Sequence, residues 1–382
     1  MTFLARVLEP PSYGFERDGK LYVPTHLEIW REFLSRINIL KSKKNWLSLT
    51  FWVATLGFVP PFVLFFKNHF SWTLFAVGMF YSMVVLGSYG TFWFHRYCTH
   101  RAFSFRYGWL KLLVRNAVIK IVPEETYVIS HHVHHRFSEQ PGDPYNVHCG
   151  WLYCFLADTN HQAIRKDLSE KDYLQLCKLM AHTGIKLNSY AQYQRWGSLC
   201  HPLTTAIQYV LNWAFWYFVF FAIGGQALAI AIFGLSGVWA FGIRTFNFDG
   251  HGRGQDRRRD GIDFNRMDLS VNQVWPGYVA GEWHNNHHLY PNGARCGYLP
   301  YQLDLPWLVI RSLAFIGLID SYRDPKAEFY RDHVLPYRAH GHIQNGKVAA
   351  HTDSDSQIDS LSAVASVGVF QDMQQPDQSR LF

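Results

Sequence analysis

Charge is scarce in this chain. Of its 382 residues, 17% are Asp, Glu, Lys or Arg, against ~25% in an ordinary soluble domain. The longest apolar runs hold almost no charge at all, which argues against a soluble globular fold. Cysteine is scarce too. Six residues (Cys98, Cys149, Cys154, Cys177, Cys200, Cys296) form no CxxC pair. A disulfide framework is thereby excluded, and a reducing compartment fits. The first 45 residues are polar, with Pro10-Pro11 and mixed charge, so no signal peptide is expected. Haem, flavin and iron–sulfur motifs are missing. The net charge of +7 would suit nucleic acid in a soluble protein. With apolar runs long enough to span a bilayer, it points to a membrane surface and to no nucleic-acid partner.

Histidine and aromatic residues are abundant: 20 His, and 17% Phe, Trp and Tyr. The histidines cluster. His95 and His100 form a pair, and His131-His132-Val133-His134-His135 and His284-Asn285-Asn286-His287-His288 form two further groups. On an α-helix, positions i, i+3 and i+4 share a face. His131, His134 and His135 meet that condition, as do His284, His287 and His288, while His132 points elsewhere. His95 and His100 are five apart, roughly 140° around a straight helix. They cannot grip one ion alone unless the helix ends between them, so they complete a site supplied by other segments. Imidazole suits zinc, copper, iron and nickel. A structural zinc site needs only four ligands, and eight candidates are enough for two metals.

Residues 1–45 are read as a cytosolic arm with one amphipathic helix near 26–40. Residues 46–66 have about the 20 needed to span, with a kink at Pro60-Pro61. Residues 67–70 are a short turn, and 72–94 are a second span entering the first histidine pair. Residues 109–122 carry Lys111, Arg115 and Lys120 and are read as an interfacial helix. Residues 151–200 are polar and helical without a span. Residues 202–223 and 227–243 form a second hairpin around Gly224-Gly225-Gln226. Residues 252–260 are a loop. Residues 305–319 make a helix too short to span, capped by Asp304 with Pro306 in its first turn. Residues 340–382 are expected to be disordered. The fold class predicted is an all-α integral membrane protein: four transmembrane helices in two hairpins under a cytoplasmic helical cap, with the membrane domain at 46–339. Lys41, Lys43, Lys44, Arg96, Arg101 and Arg244 mark the histidine side, and both termini, as cytoplasmic.

Asn247 and His251 stand four apart just after the fourth run. Spacing alone does not separate a ligand pair there from a turn asparagine and a loop histidine. Together, however, HRYCTH, HHVHH, NFDGH and HNNHH resemble the membrane fatty-acid desaturases of the stearoyl-CoA desaturase type. The flanks agree: Arg136-Phe137-Ser138-Glu139 and Asp143-Pro144 follow the second group, and Gly281-Glu282 precedes the third. The resemblance covers roughly residues 45–320.

It implies an oxygen-dependent fatty acyl desaturase with two irons and O2 as co-substrate. It implies His95, His100, His131, His134, His135, His251, His284, His287 and His288 as ligands, and Asn247 holding a metal-bound water. No catalytic residue beyond the metal centre is implied. A hydroxylase or terminal-alkene-forming relative would use the same centre. A non-catalytic metal carrier would want polar residues along its spans, and these spans hold almost none. An unactivated C–H bond is beyond general acid–base catalysis, so a redox metal is required and electrons must come from an external cytochrome or ferredoxin. The acyl chain is expected in a tunnel lined by Trp93, Phe94, Trp239 and Phe246. Two features depart from the acyl-CoA enzymes. Phe92-Trp93-Phe94 stands where they usually keep small residues, and one residue fewer separates Gly281-Glu282 from the third group.

Overall fold

The computed structural model describes residues 3–344. Residues 3–327 form one compact unit, and a second begins at Glu328. The first is mostly helical, with only two short two-stranded sheets among the described residues. In the second, Tyr330–Val334 and Leu335–Gln344 are helical. The expected tail at 340–382 therefore begins inside a helix, and residues 345–382 lie outside the described residues.

Among the described residues, three helices are long and apolar enough to cross a membrane: Lys43–His69, Trp72–Thr99 and Pro202–Gly250. The first is broken where expected. Trp46–Leu56 ends at Gly57, and Val59–Leu64 restarts with prolines in its first turn, where their missing N–H groups cost least. It continues to His69 in a wide turn, so the connection is tighter than the turn expected at 67–70. Ser71 caps the next helix by accepting from the Leu74 N–H at 3.2 Å. The third leaves helical geometry at Gly224 (φ −145°) and Gly225 (φ 68°). Residues 213 and 233 would stand about 30 Å apart on a straight helix, yet the rings of Trp213 and Phe233 are 5.9 Å apart. The chain reverses at the glycine pair, and the left-handed φ at Gly225 suits glycine. Small residues let the helices approach. A Cβ on Gly234 would lie 2.7 Å from the Phe62 backbone, and one on Gly78 would lie 2.4 Å from Leu235.

The interfacial helix needs correction. The helix expected at 109–122 spans only Gly108–Arg115. The apolar residues after it run as non-helical chain, with their backbone groups bonded by a neighbouring helix. Asn212 accepts from the Lys120 N–H at 2.8 Å and donates to Val118 O at 3.0 Å, and the Trp213 indole donates to Lys120 O at 2.8 Å. Hydrophobicity buried the segment without specifying its backbone. Two of the basic residues that mark the histidine side, Arg96 and Arg244, are buried in ion pairs. Arg96 is 1% exposed, ion-paired with Asp304, and donates to Ala294 O and Gly281 O. Arg244 is 7% exposed and paired with Asp158.

The amphipathic N-terminal helix is His26–Ile37, opened by a capping box between Thr25 and Glu28. Leu4, Val7 and Leu8 bury into the main core, and Arg6 pairs with Asp172 at 2.8 Å.

Candidate metal centre

The helix Glu124–Phe137 starts after Pro123 with two acidic residues in its first turn, which suits the positive end of the helix dipole. Its last two turns carry His131, His134 and His135. The helix His284–Leu289 carries the third histidine group. His251 follows the single helical turn Phe246–Gly250 and donates its backbone N–H to Asn247 O at 3.0 Å.

His95 and His100 lie at the end of Gly90–Thr99, which is a π-helix. Its hydrogen bonds run from i+5 to i, and the His100 N–H donates to His95 O at 3.1 Å. Residues five apart therefore share a face, and the two rings stand 5.0 Å apart. The divergence expected from α-helical spacing is absent because the turn is wider.

All nine histidines converge, in two adjoining sets. His95, His100, His131, His135 and His287 form one; His134, His251, His284 and His288 form the other. Within each, one ring nitrogen per residue lies within 4.8 Å of the rest. The sets touch where the rings of His135 and His288 stack at 4.6 Å. His132 belongs to neither set.

Ring nitrogens face ring nitrogens. Nε2 of His287 stands 2.9 Å from that of His95 and 2.8 Å from that of His135, and His135 Nε2 is 3.1 Å from His131 Nε2. In the second set, Nε2 of His251 and His134 are 3.2 Å apart. Nitrogens bound about 2.1 Å from one ion come this close to each other. His100 Nε2, His284 Nε2 and His288 Nε2 are buried with no hydrogen-bond partner. Five imidazoles exceed a tetrahedral zinc site, and an all-imidazole lining disfavours magnesium and calcium. The donor chemistry therefore fits a transition metal such as iron.

The opposite ring nitrogens meet carboxylates. Nδ1 of His95 lies 2.9 Å from Glu282, that of His134 2.9 Å from Asp143, that of His251 2.8 Å from Glu139 and that of His288 2.7 Å from Asp268. Glu282 also approaches His284 Nδ1 at 3.5 Å. A carboxylate that accepts from Nδ1–H keeps the proton there and leaves the Nε2 lone pair facing inward. Glu139, Asp143 and Glu282 are flank residues that the sequence reading noticed without giving them a role. Asp268 lies far from every histidine group in sequence, and nothing marked it.

Burial drives His131, His135, His284 and His287 well below the ordinary imidazole range, and neighbouring imidazoles add to the effect. His251 falls to about 4 by burial, although Glu139 opposes it. At His134 burial also depresses, but Asp143 outweighs it and the net shift is upward. Burial would raise Glu282, yet its contacts with His95 and His284 hold it well below the carboxylate range. The site thus favours neutral imidazole, the form that ligates metal.

A cavity of about 300 Å³ opens onto this centre at His95, His131, His284 and Glu282. Phe94, Trp239 and Phe246 line it, as does Asn247, whose buried side-chain oxygen has no partner. Trp93 does not line it. That ring is fully buried and stacks on Tyr97 at 5.1 Å, because neighbouring residues on a helix point in different directions. Phe92 likewise packs on Phe103 at 5.0 Å. Of the three bulky residues before the first histidine, one faces the cavity.

The sequence model of the fatty acid desaturase family matches residues 70–313, well over half of the chain. The chain belongs to the fatty acid desaturase family. Among curated relatives of this desaturase is an sn-1 stearoyl-lipid 9-desaturase of Synechocystis, 27% identical over 296 residues, which cover 72% of this chain and 77% of that one. Another is a chloroplastic palmitoyl-monogalactosyldiacylglycerol delta-7 desaturase of Arabidopsis thaliana, 28% identical over 284 residues, covering 71% and 66%. A third is an acyl-CoA C20 Delta5-desaturase of Anemone leveillei, 26% identical over 292 residues, covering 72% and 82%. The desaturase is thus an enzyme of fatty acyl desaturation.

Phe94 and Trp93 should respond differently to truncation. Phe94→Ala enlarges the cavity beside His95 and is expected to shift products toward longer chains or another bond position. Trp93→Ala should leave the product unchanged and lower stability by about 3–5 kcal/mol. Gas chromatography of double-bond position and thermal unfolding of both variants check this. An unchanged distribution with Phe94→Ala would remove that ring from substrate contact.

Proposed function

We propose that this desaturase holds two irons in a multi-pass membrane fold and inserts a double bond into the acyl chain of a lipid or of acyl-CoA. The observation that carries this reading is the division of nine histidines, six buried and three half-buried, into two adjoining sets with Nε2 atoms turned inward. His95, His100, His131, His135 and His287 would hold one iron; His134, His251, His284 and His288 would hold the other. Asn247, with its unpartnered side-chain oxygen, would hold a water at the second.

Iron at this place supplies the redox chemistry with dioxygen that an unactivated C–H bond demands. The overall change consumes one O2, two electrons and two protons, turns CH2–CH2 into CH=CH, and releases two waters. The polypeptide does the rest. Its carboxylates fix the imidazoles of His95, His134, His251 and His288, its cavity walls exclude water, and Phe94, Trp239 and Phe246 set the path of the chain past the centre. The electrons would come from an external cytochrome or ferredoxin.

The fold would cross the bilayer four times, with Gly224–Gly225 turning the second hairpin. The exposed Lys41, Lys43 and Arg101 support a cytoplasmic histidine face, with both termini on the same side. Domain limits at 45 and 339 remain part of this proposal.

Elemental analysis and product analysis test it together. Protein expressed with ample iron should carry two irons per chain and yield a desaturated acyl product with reductant and O2. One metal per chain, or hydroxylated or terminal-alkene product alone, would contradict it. So would a reporter after Phe382 that is active only outside the cytoplasm.

A further inference from the structure

The cavity has one wall unsuited to hydrocarbon. Asp158 and Arg244 both line it, and their side chains are 7% and 2% exposed. They are bonded to each other. Arg244 also donates to Thr55 Oγ1 at 2.9 Å. Its guanidinium lies 4.6 Å from the Phe51 ring centre and 4.1 Å from that of Trp52. The carboxylate is held in turn by Thr159 Oγ1 at 3.3 Å, which accepts from the Trp52 indole at 2.6 Å. Charge, aromatic faces and hydroxyls therefore fix this pair in place.

One donor is left over. Arg244 Nε is buried and has no acceptor, and a buried donor without one is costly. The pair is neutral as a whole, because each charge cancels the other. A second full charge placed against it would gain no net ionic attraction and would lose its own solvation. A neutral acceptor gains a charge-assisted hydrogen bond and loses little. Arg244 is also three residues before Asn247, about one helical turn away, so an acceptor held here lies close to the metal centre.

We infer that Arg244 Nε is a recognition point for a neutral carbonyl oxygen of the substrate, whether ester, thioester or amide, and that it fixes which methylenes lie beside the histidines. The inference rests on the desaturase reading and makes Arg244 a specificity-determining residue. Asp158 is its positioning partner, cancelling the charge and orienting the guanidinium.

The test uses iron-loaded full-length protein in nanodiscs under argon, so that binding is read without turnover. Methyl stearate, stearoyl-CoA, stearamide, stearate and octadecane compete with a labelled acyl probe. At least one of the neutral carbonyl ligands should bind about tenfold more tightly than octadecane, and the class that does so identifies the carrier. Stearate should gain no such advantage. Arg244→Lys keeps the charge against Asp158 but loses the planar fork, so it should bring the preferred ligand to within about twofold of octadecane. Arg244→Met/Asp158→Leu removes both charges at once and should do the same without leaving a buried ion unpaired. Under turnover, Arg244→Lys should give a mixture of double-bond positions.

Equal binding of every carbonyl ligand and octadecane would overturn the inference, with the pair then serving only to hold water. Tightest binding by stearate, or an Arg244→Lys protein unchanged in affinity and product, would overturn it too. Failure of every ligand to give desaturated product would strike the desaturase reading instead, since the binding comparison needs no turnover.

Discussion

Alanine in place of His134 or His287 should abolish desaturation. The two residues sit in different sets, so each substitution should empty a different metal position. His287 Nε2 is the most connected nitrogen of the five, lying within 2.9 Å of two others. His134 is turned inward by Asp143 and faces His251. Loss of a residue that merely orients a ligand typically costs 10–100-fold, and loss of the ligand itself should exceed about 100-fold. Iron should fall from two per chain toward one in each variant. His132→Ala is the control. His132 lies on the same helix, belongs to neither set, and should keep activity within about threefold. Product yield, iron content and membrane expression are measured for all three. Equal losses at His132 and His134 would show that the division into sets is not the functional one.

Glu282→Gln is expected to cost more than the loss of any other carboxylate at the site. Asp143, Glu139 and Asp268 each meet one histidine. Glu282 meets one histidine in each set, His95 at 2.9 Å and His284 at 3.5 Å. A glutamine keeps the shape but has one acceptor oxygen, so holding His95 Nδ1–H turns its NH2 toward His284 Nδ1, which stands 3.5 Å from the carboxylate without a hydrogen bond. Both metal positions should weaken at once, with activity falling about 100-fold, against about tenfold for Asp143→Asn. Iron content distinguishes this from a folding defect: Glu282→Gln should lose iron from both positions, and Asp143→Asn from one. Full iron occupancy in an inactive Glu282→Gln protein would instead assign the residue to the reaction itself.

Much of this centre was legible in the sequence, because α-helical spacing is a property of the chain alone. His131, His134 and His135 had to share a face if the segment was helical, and likewise the group from His284. The apolar runs were also plain, as were their breaks at Pro60-Pro61 and Gly224-Gly225, since proline and glycine carry their backbone preferences with them. The division into sets was not legible. His131 and His135 join one set while His134, on the same turn, joins the other. His287 parts from His284 and His288 in the same way. Those memberships depend on how the helices cross, which no local spacing records. Asp268 was hidden for the same reason, since a loop residue reaches His288 only through the fold. Trp93 and Phe94 are both aromatic neighbours, and composition could not say which would face the cavity.

The wide turn at Gly90–Thr99 has a consequence for how the chain can change length. Such a turn holds one residue more than an α-helix does over the same bond. Deleting a single residue between His95 and His100 would let the backbone close into ordinary i+4 bonding, with the two histidines now four apart and still on one face. Relaxing the turn to i+4 bonding at unchanged length would instead set the two rings roughly 140° apart, and one would leave the centre. A substitution that closes the wide turn should therefore be as damaging as removing a histidine, though every histidine would still be present. Length and turn width in this stretch have to change together.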